Sequence, residues 1–185
     1  MSGFSPSRSE DEDSKDSKPA REKKPPTPER LEQRARNVLL HQLARSAKST
    51  QQLRKILENR EIPSEIAERV LERFTEVGLI DDQAYAETIV NSRRNFKGLS
   101  KSAIKRELNE KGVPSAYIET AIESITAEDD FEAAKQLAAR RIRQMSSLTR
   151  EVRERRLAGY LGRKGYPSSV VFAAIKFAES QIEPV

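Results

Sequence analysis

The chain has 185 residues, 34 Lys and Arg against 29 Asp and Glu, a net charge of +5, and neither Cys nor Trp. That composition excludes disulfides, thiolate chemistry and zinc–thiolate centres, and 5% aromatic residues leave no material for a large aromatic core. No run has the apolar length of a membrane span and the first residues hold no signal-peptide core, so the expectation is a cytoplasmic protein whose excess positive charge suits an anionic partner.

Residues 1–28 are rich in Ser, Asp, Glu, Lys and Pro and nearly empty of large apolar residues, which predicts a disordered charged tail. Its six acids and six bases cancel, so the net positive charge belongs to the rest of the chain. Thr27-Pro28-Glu29 then has the chemistry of a helix start: an N-cap, a proline and an acid in the first turn. Leu31, Ala35, Val38, Leu39 and Leu43 supply an apolar face, and Ser46 to Ser49 interrupts it. Ser49 with Gln52 has capping-box spacing ahead of Leu53, Ile56 and Leu57. After Pro63-Ser64 a further helix carries Ile66, Ala67, Val70, Leu71 and Phe74 and stops at Gly78.

The stretch from Gly78 to Ile125 repeats this plan. Asp81 caps a helix bearing Tyr85, Ala86, Ile89 and Val90, closed by Arg93 and Arg94; Asn95 to Gly98 is expected to break it. Ser100 caps a second helix with Ile104 and Leu108, Gly112 ends it, and Pro114 is expected at or near the first position of a third with Tyr117, Ile118, Ala121, Ile122 and Ile125 as its apolar stripe. A last round starts at Thr126, runs through Phe131, Ala134, Leu137, Ala138 and Ile142, resumes with Val152, Leu157, Tyr160 and Leu161 on a longer second helix, and ends with Val170, Val171, Ala174, Ile175 and Ala178 after Pro167.

Leu57 to Ser64, Leu108 to Ser115 and Leu161 to Ser168 share one pattern: a Leu, two variable residues, a base, a small or polar residue, an apolar residue, then Pro-Ser. The period of about 50 residues is that of stacked repeat units. The expected fold is all-α: three tandem three-helix repeats over residues 29–78, 79–125 and 126–185, forming an elongated, curved rod in which neighbouring units complete one another's apolar burial.

Catalytic chemistry finds no support. His41 is the sole histidine and has no Cys to work with, the adjacent acids Asp81 and Asp82 are explained by capping, and both phosphate-cradling glycine spacings fail. The expectation is a protein with no enzyme activity, no cofactor and no metal. The candidate contact residues are instead basic: Arg93, Arg94, Lys97, Lys101, Lys105 and Arg106 in the second unit, and Arg140, Arg141 and Arg143 in the third, followed there by Arg150, Arg153, Arg155 and Arg156. Stacking would align the two groups as a positive stripe able to neutralise phosphates, with Phe96 and Tyr160 available to stack on bases.

Gly78-Leu-Ile-Asp-Asp-Gln-Ala-Tyr85-Ala86, followed by Arg93, Lys97-Gly98, Ile104, Glu107-Leu108, Lys111-Gly112-Val113 and Ile118, resembles the central signature of the RecX regulatory family. The resemblance extends more loosely over residues 29–180. It implies tandem three-helix repeats, no catalytic residues, and a bacterial modulator, usually an inhibitor, that lodges in the groove of the RecA recombinase filament on single-stranded DNA and interferes with strand exchange and ATP hydrolysis. The chain itself is expected to be a monomer. Single-stranded DNA is a further candidate partner in its own right. The long tail, Glu61 in place of glycine, and the extended second helix of the third unit depart from the pattern. Two rival readings remain: a free-standing nucleic-acid-binding protein, and a protein-only scaffold whose charge serves solubility.

Overall fold

The structure, a computed structural model, describes residues 26–182. Among the described residues there are nine α-helices and no strand: α1 Pro28–Arg45, α2 Thr50–Glu58, α3 Ser64–Glu76, α4 Asp82–Ser92, α5 Lys101–Glu110, α6 Ser115–Ile122, α7 Ala127–Ile142, α8 Arg150–Arg163 and α9 Ser168–Ser180. The tail expected over residues 1–28 lies, up to residue 25, outside the described residues. No described helix is long and apolar enough to cross a membrane.

Local chemistry sets most helix starts. Thr27, Ser49, Asp81, Ser100 and Thr126 each accept a backbone N–H of the first turn, and Ser49–Gln52 and Thr126–Asp129 form reciprocal capping boxes. Pro63, Pro114 and Pro167 stand at the N-cap itself, immediately before the first helical residue. The expected break at Asn95 to Gly98 is a continuation instead: α4 widens into a π-helical turn, Arg93–Lys97, closed by Gly98 in the left-handed region at φ 57°. Nothing between Asn95 and Lys97 forbids helical backbone. The stop comes only where the Gly98 and Leu99 N–H groups turn back to the Arg94 and Arg93 carbonyls.

The repeated Leu-to-Pro pattern is a helix-ending device. The N–H groups of Ile62, Val113 and Tyr166 bond the carbonyls of Leu57, Leu108 and Leu161. Residues 61, 112 and 165 between them have φ of 58°, 71° and 84°. This is a Schellman motif with its apolar contact: the three leucines are 0% exposed, and the residues before the prolines are buried too. Arg60, Lys111 and Lys164 place a cation at each of these helix C-termini.

The helices group as α1–α3, α4–α6 and α7–α9, and each group closes its own apolar core. Here the expectation of shared burial needs correction. Among the described residues no apolar cluster joins one set of three helices to the next, because each set already covers its own stripes; Ile80, just after α3, belongs to the first core although it falls in the range expected for the second unit. Tyr117, expected in the apolar stripe, is 40% exposed.

The units are joined by polar contacts at helix ends. The N-terminus of α2 meets the C-terminus of α5: Ser49 Oγ donates to the Lys111 carbonyl, Thr50 N–H to Asp82 Oδ1 at 2.8 Å, and Tyr85 hydroxyl to Gln52 Oε1 at 3.1 Å. The N-terminus of α5 meets the C-terminus of α8 in the same way. Ser100 donates its hydroxyl to the Gly165 carbonyl at 2.7 Å and its N–H to the Lys164 carbonyl at 3.0 Å, while Lys101 N–H donates to Asp130. Tyr166 hydroxyl donates to the Gly98 carbonyl at 3.1 Å, and burial pushes its phenol up to about 12. Helices α8, α5 and α2 therefore run head to tail along the molecule, positive dipole end against negative. Ser49 and Ser100, both 0% exposed, are the buried polar residues among those described. No hydrogen bond or ion pair among the described residues links the first unit to the third, so the array is linear.

This geometry explains the glycine at position 165. A Cβ there would sit 2.6 Å from Ala103 Cβ and 2.8 Å from Ser100 Oγ. Glu61 fills the corresponding place in the first unit. It is exposed, with no unit packed against it, so there is room for its side chain.

Candidate functional site

Each joint leaves a notch between the end of one unit's first helix and the body of the next unit's first helix. The repeat offset of 51 residues that relates Ser49 to Ser100 also relates Leu43, Ala44 and Ala47 to Arg94, Asn95 and Gly98. Those residues line the two notches at matching positions. At the first joint the notch is apolar, walled by Leu40, Leu43, Ala44, Leu79 and Ala84, with Leu40 and Leu79 each half exposed. At the second joint the same notch is cationic.

The cationic notch is a cleft of about 600 Å³ with Arg94, Lys97, Arg140, Arg141 and Lys164 in its wall, amides from Asn95, Gln136 and Gln144, and no carboxylate. Arg140 and Arg141 lie near the C-terminus of α7, where cations oppose the helix dipole. Lys97 is delivered by the π-helical turn, and Lys164 by the Schellman end of α8, where its Nζ bonds the Lys97 carbonyl. Tyr160 projects from α8 into the cleft. The Arg141 guanidinium and the Lys164 ammonium lie 5.7 and 5.1 Å from its ring centroid, within cation–π range. Phe96, at the tip of the π-helical turn, is 88% exposed. Beyond Tyr160 the cleft continues past Arg141 and Gln144 to Arg155, Arg156 and Arg163. The arrangement offers a run of phosphate donors beside two aromatic faces.

The nine basic residues singled out in the sequence separate into different roles. Lys97, Arg140 and Arg141 face the cleft. Arg94 reaches it too, but its guanidinium is held by Asp130 Oδ1 and the carbonyls of Leu99 and Asp129, bracing the second joint. Arg93 makes a paired contact with Glu107 at 2.7 and 2.6 Å inside the second unit. Its guanidinium, bonded to Glu107, holds that carboxyl below the ordinary glutamate range. Lys101 donates to the Ile125 carbonyl and Lys105 pairs with Glu119. Arg106 and Arg143 are exposed and lie outside the cleft. Of the third unit's later arginines, Arg153 is held by Glu179 and the Leu148 carbonyl, and Arg150 pairs with Glu154.

Lys164 and Arg163 were missed because they sit at a helix stop, where a base is already accounted for by capping. Only the tertiary joint turns Lys164 towards Tyr160. Asp82 stands in the first turn of its own helix, as expected, and its carboxylate also accepts from Thr50 N–H of the preceding unit, a contact that spacing along the chain does not reveal. Among the described residues no acid, His or Cys cluster has the makings of a metal site.

Comparison with known proteins agrees with this architecture. Family models described as the first, second and third three-helix domains of RecX match residues 35–74, 81–122 and 128–175. Regulatory protein RecX of Streptomyces coelicolor is 43% identical over 157 residues, covering 85% of this chain and 83% of the relative. The RecX of Thermobifida fusca is 38% identical over 149 residues, covering 80% of each. The crystal structure of RecX from Lactobacillus salivarius superposes with a TM-score of 0.68 at 19% identity, over 81% of this chain and 97% of that one. A second crystal structure of regulatory protein RecX gives 0.66 at 26% identity, over 83% and 74%.

Proposed function

This chain belongs to the RecX family, and from that premise we propose that it regulates a RecA recombinase by binding the filament that the recombinase forms on single-stranded DNA, restraining ATP hydrolysis and strand exchange. The observation that carries the reading is the pair of notches at equivalent joints, one apolar and one cationic. A filament of protein wound on nucleic acid presents both chemistries at a regular spacing. A linear array with two differently lined notches is suited to meet them together. In this reading Lys97, Arg140, Arg141 and Lys164 neutralise phosphates, and Phe96 and Tyr160 pack against bases or against the recombinase surface.

The decisive experiment titrates the full chain into recombinase filaments and follows ATPase and strand exchange. The Lys97→Ala/Arg140→Ala/Arg141→Ala variant should lose most of the inhibition, and an Arg106→Ala/Arg143→Ala variant should keep it. A wild-type chain that leaves both activities untouched at stoichiometric amounts would end the proposal.

The cation–π pairing around Tyr160 favours one further reading, a free-standing binder of single strands. Tight, steeply salt-dependent binding to naked DNA with no effect on filaments would select it.

A further inference from the structure

The first unit has a cationic cleft of its own, away from both joints. It measures about 480 Å³ and lies between α1 and the turn after α2. Arg30, Arg34 and His41 come from one face of α1, and Arg60 comes from the helix-ending turn of α2. Asn37 and Gln33 complete the polar wall, and no carboxylate lines it.

Three observations set this cleft apart from an ordinary solvated helix face. First, Arg30, Arg34 and Arg60 make no ion pair with any described residue, whereas Arg36 of the same helix pairs with Glu32 and Arg54 of α2 pairs with Glu68. Second, Arg30 and Arg34 stand one turn apart, so α1 carries a standing like-charge repulsion that an anion would relieve. Third, Gln33 Nε2 donates to Asn37 Oδ1 at 3.0 Å, which leaves the Asn37 amide N–H groups free to donate. From Arg30 to His41 the helix advances by about 17 Å at 1.5 Å per residue, enough to follow several consecutive phosphates.

We propose that this cleft is a second contact for the sugar–phosphate backbone, so that one nucleic-acid strand is held by the first unit as well as by the cleft between the second and third. The inference rests on the reading of that other cleft as a phosphate contact. The two sites differ in kind. The unit-one cleft has no Phe, Tyr or Trp in its wall, so it holds the strand by charge and is indifferent to bases. The joint cleft adds Tyr160 and Phe96. Two weak contacts on one strand give an affinity that grows with strand length once both can be engaged.

The test measures binding of the full chain to oligothymidylates of about 10 and about 40 nucleotides by fluorescence anisotropy across a salt series. Wild type should bind the long strand at least about tenfold more tightly than the short one. The Arg30→Ala/Arg34→Ala/Arg60→Ala variant should bind the short strand within about twofold of wild type but lose most of the gain on the long one, with its salt slope reduced by about 2, as expected for three lost phosphate contacts. These arginines hold no other described group, so the variant should melt with wild type. Arg30→Glu/Arg34→Glu should deepen the loss. If the triple variant keeps the full length-dependent gain and the wild-type slope, the proposal is overturned. It is equally overturned if polyglutamate protects the three arginines from chemical modification and oligothymidylate does not, since the cleft would then be a seat for acidic protein. If instead wild type binds neither strand, the joint-cleft reading itself has failed, an outcome distinct from loss of the length effect alone.

Discussion

Ser100 donates its hydroxyl to the carbonyl of Gly165, 65 residues away, at 2.7 Å, and so ties the start of α5 to the end of α8. The same serine accepts from Ala103 N–H and is 0% exposed. The bond closes only because Gly165 lacks a side chain. Gly165→Ala should therefore combine left-handed strain of about 1–2 kcal/mol with overpacking of about 1–3 kcal/mol against Ala103. Gly78→Ala, at φ 71° with nothing within 4 Å of the new Cβ, should show only the strain. Urea denaturation of the two variants measures the difference, and equal losses would mean that the joint yields freely.

Glu61 gives the converse case. It holds φ 58° on the surface, at a helix-ending turn against which no other described unit packs. Glu61→Gly should raise stability by about 1 kcal/mol by removing the left-handed penalty. A loss of stability would show that the Glu61 side chain makes a contribution larger than its strain.

Arg93 and Arg140, both singled out as contact residues, should part company under mutation. Arg93→Ala breaks a charge-assisted pair whose partners are 17% and 23% exposed and should cost about 1–3 kcal/mol in stability. Arg140→Ala, on an exposed side chain, should stay within about 0.5 kcal/mol and act only on binding. Thermal melts beside the inhibition assay separate the two effects.

The same pair sets an acid limit. Because the Arg93 hydrogen bond lowers the Glu107 carboxyl, its contribution is complete above the unfolded value of about 4.3 and is lost as pH falls through the lower folded value. Denaturation between neutral and strongly acidic pH should show stability falling across that window. Glu107→Gln should be less stable at neutral pH and should flatten that part of the acid dependence.

Separate cores predict separable unfolding. Leu108→Ala, at a residue 0% exposed, should cost about 2–5 kcal/mol. The loss of amide protection should concentrate in α4–α6 and spare the α7–α9 core, because no apolar cluster spans the joint. Uniform loss of protection across all three units would show that the polar joints couple them fully.

Much of this molecule was legible in one dimension. Caps such as Ser49, Ser100 and Thr126, and the Leu57, Leu108 and Leu161 helix-ending pattern, act within six residues of themselves, so residue type and spacing determine them. The three-helix period followed from the same local rules. What tertiary structure alone decided was the use made of charge. Arg93, Arg94, Lys97 and Lys101 lie within nine positions and look alike in sequence, yet one locks a unit, one braces a joint, one faces a cleft and one caps a carbonyl. That sorting depends on which carboxylates and carbonyls arrive from elsewhere in the chain (Glu107, Asp130, Ile125), and such meetings are set by how helices pack. The joints are hidden from sequence for the same reason. A buried serine or a joint glycine carries the same letter as a surface cap until the neighbouring unit closes over it.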